Sequence, residues 1–299
     1  ILGLSLFNSA TEQMKQNAIE SQQYSAEQLA KSLSSELDDL ISIITRIDES
    51  RAMFWPSKWK NDLYNQTSIS WELNKYRKYS FLLEDCILVY KNHNAVFTST
   101  THDCTDSFFQ RVQVGDEQLS RILSTTNTRA ILPVDMNDTT SDRRYEALLY
   151  IVPFNMEKIR NNDMVMVFVL PSERLDRWAR RYLNTQNYRF WLFDKNDTPL
   201  FSFGTLNPED SYRKVMDFQI AGDSQRQIFA DDIAVSLFRL NTRSAGAQAV
   251  LEVPWEGAVQ QLIEFRKLFY ITGTTTIVLG FLLAILFSYY NYSPIKRIL

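Results

Sequence analysis

Histidine and cysteine are almost missing from this chain, with two of each in 299 residues. Metal centres built from imidazole and thiolate need three or four such ligands close together. The one cluster, Thr101-His102-Asp103-Cys104, has no second cluster to complete it and reads as a solvated loop with a structural cysteine. There is no Gly-rich phosphate loop, no G-x-S-x-G and no H-E-x-x-H. The carboxylate pairs Asp38-Asp39 and Asp231-Asp232 are sequence neighbours and read as solvated charge. No cofactor and no catalytic constellation are therefore expected in this region. Glycine and proline are also scarce, eight of each, which excludes collagen-like and low-complexity chains. Charge of one sign is lacking too: the net value is −3, so nucleic acid is not an expected partner. The basic run Arg177-Trp178-Ala179-Arg180-Arg181 reads as one solvated helical turn.

Charge is absent altogether from Leu268 to Tyr290. As a helix, that run spans about 34 Å, enough for a bilayer core of about 30 Å. Tyr270, Tyr289, Tyr290 and Tyr292 stand where interfacial aromatics are expected. The first residues, Ile1 to Phe7, read as the tail of a first transmembrane helix, with a signal-peptide remnant as the alternative. Basic residues flank both ends of the C-terminal span, so orientation rests on the cysteines. Cys86 and Cys104 fall in one segment, where a disulfide would stabilise by roughly 3 kcal/mol and would persist only in an oxidising compartment. That pairing is the expectation, with two free thiols as the alternative.

Residues 4–55 contain neither Gly nor Pro. Within them Leu29, Leu33, Leu37, Leu40, Ile44 and Ile47 recur at spacings of three and four, the stripe of an amphipathic helix that Pro56 ends. A shorter helix is predicted over Thr67–Ser80, with Ile69, Leu73 and Tyr76 inward. Then Cys86–Tyr90, a Lys-Asn-His-Asn turn and Ala95–Ser99 form a hairpin, where Asn92 and Asn94 tolerate unusual backbone angles. The pattern returns as Phe190–Phe193, Asp-Lys-Asn-Asp and Thr198–Phe203. A second feature repeats in the same order. A β-rich run ends at Pro171 and again at Pro254, each followed by a helix, with proline taken as the first helical residue. Strands Tyr145–Phe154 and Ile233–Leu240 precede these closures, and a helix Ser172–Leu183 links the copies. Two copies of one α+β module with antiparallel sheets follow.

A long N-terminal helix, two tandem hairpin-containing modules with strand–Pro closures at Leu170-Pro171 and Val253-Pro254, and a direct run into an apolar helix resemble the double Cache (dCache) sensor domains of bacterial receptors. The resemblance covers roughly residues 10–266. It implies an α+β fold of a long N-terminal helix, two PAS-like antiparallel-sheet modules and a C-terminal transmembrane helix. The implied divisions are 1–7 for the end of a first membrane helix, 8–55 for the long helix, 56–184 for a membrane-distal module with its linker, 185–267 for a proximal module, 268–290 for the membrane helix and 291–299 for a cytoplasmic segment. That last segment, Asn291–Leu299, looks like the entry to a HAMP linker of sensor kinases, and equally like the juxtamembrane segment of membrane-bound AraC-type regulators.

In this family the distal module usually holds the ligand. Tyr90, Asp135, Arg143, Arg144, Tyr145 and Tyr150 are the polar and aromatic candidates for such a pocket. Some dCache sensors take amino acids through a Tyr, Arg, Trp, Tyr and Asp signature. The run from Cys104 to Leu132 has arginines but no Trp or Tyr, so an amino acid is not the expected ligand. The resemblance implies a small-molecule sensor in the cell membrane, its main domain extracytoplasmic and acting as a homodimer. The rival reading is a membrane-anchored surface interaction or adhesion protein without a small-molecule site.

Overall fold

The computed structural model describes residues 2–50, 59–125, 129–138, 143–154, 164–183, 187–193, 199–207, 227–230, 233–239 and 248–295. The chain divides into two compact units, one formed by Gln22–Pro254 and the other by Ile1–Ser21 with Trp255–Leu299.

Helix α1 (Leu2–Ser50) is the long helix expected from the stretch free of Gly and Pro. Within the larger unit its Leu29, Leu33, Leu37, Leu40, Ile43 and Ile47 are all buried, and Ile44 is partly buried beside them. The predicted end at Pro56 lies outside the described residues. Helix α2 (Leu63–Arg77) starts earlier than its apolar pattern suggests because Asp62 caps it. The Asp62 carboxylate accepts from the backbone N–H groups of Tyr64 (2.9 Å) and Asn65 (3.3 Å), which satisfies donors left free at a helix start. Ile69, Leu73 and Tyr76 face inward as expected.

The first sheet comprises β1 (Asp85–Tyr90), β2 (Ala95–Phe97), β3 (His102–Asp103), β4 (Ala130–Asp138), β5 (Arg143–Phe154) and β6 (Met164–Pro171), in the order β3-β2-β1-β6-β5-β4. The second comprises β7 (Arg189–Phe193), β8 (Pro199–Gly204), β9 (Gln227–Ala230), β10 (Ile233–Arg239) and β11 (Gln248–Pro254), in the order β8-β7-β11-β10-β9. Apart from the two-residue β3, both sheets run second, first, fifth, fourth, third. The duplication read from the hairpins and closures is thus one of topology, and every described pairing is antiparallel. Asn94 closes the first hairpin at φ 46°, the left-handed conformation that asparagine tolerates; the second hairpin's turn lies outside the described residues.

Helices α3 (Thr105–Arg111) and α4 (Asp116–Ser124) fall between β3 and β4, α5 (Ser172–Ala179) falls between β6 and β7, and α6 (Trp255–Ile295) follows β11. The closures differ from expectation by one position. Pro171 and Pro254 are the last residues of β6 and β11, and the helices begin at Ser172 and Trp255. Pro171 has an extended backbone (φ −64°, ψ 142°), so it ends the ladder that its missing N–H cannot continue and stands as the residue before the helix.

The core follows from strand alternation. Leu88, Met166, Phe168 and Leu148 of the first sheet, and Phe190, Leu192, Ala249 and Leu251 of the second, join the α1 stripe in one continuous cluster. Because both sheets close on the same helix, Leu37→Ala is expected to lower the stability of the detergent-solubilised full chain by about 2–5 kcal/mol. Urea unfolding followed by Trp fluorescence and by circular dichroism should shift in one coincident transition; a shift seen by only one probe would show two separately folding modules.

Candidate functional site

The first sheet has two unlike faces. Cys86, Leu88, Tyr90, Tyr150, Met166 and Phe168 look toward α1 and α2. Ile87, Val89, Leu149, Ile151, Val165 and Val167 look the other way, where Phe108, Phe109, Val112, Val114 and Ile122 from the α3–α4 region cover them. The cluster on this second face is built of aliphatic and phenyl side chains with Met136.

Polar groups gather instead at the α1 side. Trp59 packs on Tyr90 (ring centroids 4.8 Å) and Phe97 (5.0 Å), and the imidazoles of His93 and His102 stand 6.0 Å from Trp59 and Phe97 respectively. Burial pushes the Tyr90 hydroxyl well above its ordinary value, so it stays protonated at any physiological pH. At the entrance to β1, the Asp85 carboxylate accepts from the backbone N–H groups of Cys86 (2.8 Å) and Ser99 (3.0 Å). Burial raises the Asp85 pKa, opposed by these hydrogen bonds and by Arg77. Asp85 thereby anchors the Thr98–Thr101 turn, whose Thr101 carbonyl also accepts from Ser70 Oγ at 3.2 Å. Neither Trp59 nor Asp85 belongs to the sequence-derived set. Their one sequence signal is position, Asp85 beginning the first hairpin strand and Trp59 standing just before α2.

The six candidates do not converge. Tyr90 and Tyr150 are fully buried on the α1 face, Tyr150 stacked on Phe168 with centroids 6.3 Å apart. Tyr145, an odd number of residues from Tyr150, falls on the opposite face of β5 and packs at the edge of the aliphatic cluster. Asp135 is exposed on the edge strand β4; Arg144, also exposed, stands in register with Asn137, and Arg143 with Asp138. Proximity along the sequence suggested a shared pocket, but the two-residue period of the strand separates the groups.

The expected Cys86–Cys104 disulfide is absent: Cys86 is a buried free thiol and Cys104 an exposed one. The sheet explains it. Strand β2 lies between β1 and β3, placing the two cysteines two strand spacings apart, about 9–10 Å. Cys86 also lies four residues from Tyr90, which faces Ala95, while Cys104 continues β3 toward Ala95, adding about 13 Å along the strands. A disulfide needs Cα atoms within about 7 Å. Burial holds the Cys86 thiol well above its usual pKa, whereas Cys104 Sγ donates to Ser107 Oγ at 2.9 Å.

The second sheet buries two opposite charges. Arg189 on β7 stands in register with Glu252 on β11, and both are buried. Arg189 Nε donates to the Leu206 carbonyl (2.6 Å) and its terminal nitrogens to Ser202 Oγ (2.9 Å) and the Gly204 carbonyl (3.4 Å). Burial lowers the Arg189 pKa, and Glu252 opposes that shift. Gly204 is fixed by φ 130° and by the Tyr188 carbonyl, which a Cβ would approach to 2.3 Å. Arg189 therefore ties β7 to the end of β8, and its register partner Glu252 stands three residues before the start of α6. No group of three or more His, Cys, Asp or Glu positioned for a metal exists among the described residues.

Helix α6 contains one stretch, Lys267–Tyr289, long and apolar enough to cross a membrane. Its threonines fit that environment because their hydroxyls bond within the helix. Thr272, Thr274, Thr275 and Thr276 donate to the carbonyls of Leu268, Tyr270, Ile271 and Thr272 at 2.6 to 2.8 Å.

No protein-family model matches the sequence, and no curated protein matches it. In three dimensions the chain is similar to the extracellular domain of vpHK1S-Z8, described as a histidine kinase, at 8% identity and a TM-score of 0.55 over 84% of this chain and 96% of that one. It is similar to a domain of a protein from Vibrio parahaemolyticus described as of the sensory box/GGDEF family, at 10% identity and 0.53 over 81% and 98%. A third likeness is to the extracellular domain of rpHK1S-Z16, also described as a histidine kinase, at 10% identity and 0.50 over 80% and 95%. At these identities the likeness is one of fold, shared with the extracellular domains of two proteins described as histidine kinases.

The thiol assignment is directly countable. Ellman's reagent should titrate one cysteine, Cys104, in the native chain and two after denaturation; a native count of zero that rises to two only after reduction would restore the disulfide.

Proposed function

We propose that this chain is the extracytoplasmic sensing region of a double Cache transmembrane receptor. In this reading it binds a small molecule in the distal module and signals, as a homodimer, to a cytoplasmic output that is either a transcription regulator or a kinase. The sensor-domain fold supports the sensing role. The observation that carries the signalling role is continuity: β11 ends at Pro254, α6 begins at Trp255, and the same helix runs through the apolar stretch to Ile295. An anchor needs no such stiffness, whereas a transmitter does. A ligand moves such a system only through its differential affinity for two arrangements of the protein. An amino acid remains outside the expectation.

A thermal-shift screen of the full chain in detergent against metabolites of broad chemistry tests the reading. A true ligand at about one hundred times its Kd should stabilise by about 2.7 kcal/mol, a rise of several degrees in Tm. Flat curves across every chemical class would favour the surface-interaction reading.

A further inference from the structure

Where α1, the α2–β1 connection and α5 meet, the surface carries an unusual composition. Tyr79 is 65% exposed and Phe81 42% exposed, on either side of the buried Ser80. Large rings are rarely left in water without a purpose when they stand together. Each ring is stacked by guanidinium groups from another element. Arg46 of α1 lies over Tyr79 at 5.5 Å, and Arg177 and Arg181 of α5 and its C-terminal turn lie over Phe81 at 5.6 and 4.4 Å.

The platform is held rigidly. Ser80 Oγ donates to Glu36 Oε2 of α1 at 2.8 Å and accepts from the Leu82 N–H at 3.2 Å. Arg174 donates to the carbonyls of Phe81 (3.2 Å) and Leu83 (2.6 Å) and pairs with Glu84. Arg77 reaches the same Glu84 at 3.8 Å.

The local carboxylates are mostly engaged elsewhere. Glu84 serves Arg77 and Arg174, Asp176 serves Arg180, and Glu36 serves Ser80. Arg177 Nε donates to the Glu173 backbone carbonyl at 3.3 Å. Among the described residues, no ion pair joins Arg46, Arg177 or Arg181 to a carboxylate, and Lys78 adds a further exposed positive charge at the edge.

We infer that this arginine–aromatic surface is a docking site for an acidic polypeptide segment of a partner protein. A guanidinium stacked flat on a ring keeps its edge N–H donors free for a planar carboxylate. The exposed rings supply apolar contact for the intervening side chains. Arginine with Tyr and Phe is the composition enriched at protein interfaces, from which lysine is depleted. A patch for anionic lipid is by contrast a cluster of Lys and Arg answering to charge alone. The inference is independent of where a small molecule binds.

The probe is fluorescent poly-L-glutamate, titrated by anisotropy against the full chain in phosphatidylcholine nanodiscs. Binding should be saturable and should weaken about tenfold or more in Arg177→Gln/Arg181→Gln, and further when Arg46→Gln is added. It should also fall as salt screens the contact. Because all three side chains are exposed, Tm should stay unchanged, and Arg121→Gln on the remote helix α4 should bind as the parent does. Absent binding, or equal binding by the double variant, overturns the inference. So does preferential association with vesicles of equimolar phosphatidylglycerol and phosphatidylcholine, which would make the occupant a membrane. A fall in molar mass by light scattering in the triple variant likewise overturns it, making the occupant a second copy.

Discussion

The apolar stripe of α1 from Leu29 to Ile47 is the constraint on which the larger unit depends. It packs against the face that carries Leu88 and Phe168 in one sheet and Phe190 and Leu251 in the other, so the two sheets share one core cluster. Burial of apolar area is the dominant favourable term in folding, and here it also couples the modules mechanically. The hydrogen bond from Ser32 Oγ to Tyr182 Oη at 2.6 Å and the one from Ser80 to Glu36 join α1 to the segment after α5 and to the α2–β1 connection.

That arrangement gives the two faces of each sheet different duties. The α1 face is structural. The opposite face differs between the modules. In the first sheet it is apolar, and in the second it holds Arg189 and, on the strand that precedes α6, Glu252, both buried. Burying a charge is costly unless its donors are satisfied, and Arg189 meets that condition with three acceptors.

Much of this was legible in the sequence, and the reasons are local. The α1 stripe is a pattern at helical spacing; the hairpins carry turn residues; Pro171 and Pro254 mark strand ends, though one position earlier than a helix-first reading places them. Strand β4, with Pro133 in its interior, and the four-residue β9 gave too weak an alternation to be recognised, and edge strands tolerate such sequences. The site was far less legible. Tyr145 and Tyr150 are close in the chain yet on opposite faces. Cys86 and Cys104 share a segment, yet a strand lies between them. The stacking of Arg177 and Arg181 on Phe81 joins residues far apart in sequence, and no local pattern announces it.

The central claim is that α6 starts directly after β11 and runs as one unbroken helix from Trp255 to Ile295. Hydrogen exchange on the full chain in a lipid bilayer reads this directly, through the amides from Val259 to Lys267. A continuous helix predicts slow exchange across that interval, comparable with the β11 amides before it. Rapid exchange confined to those residues would reveal a loose tether and would contradict the account.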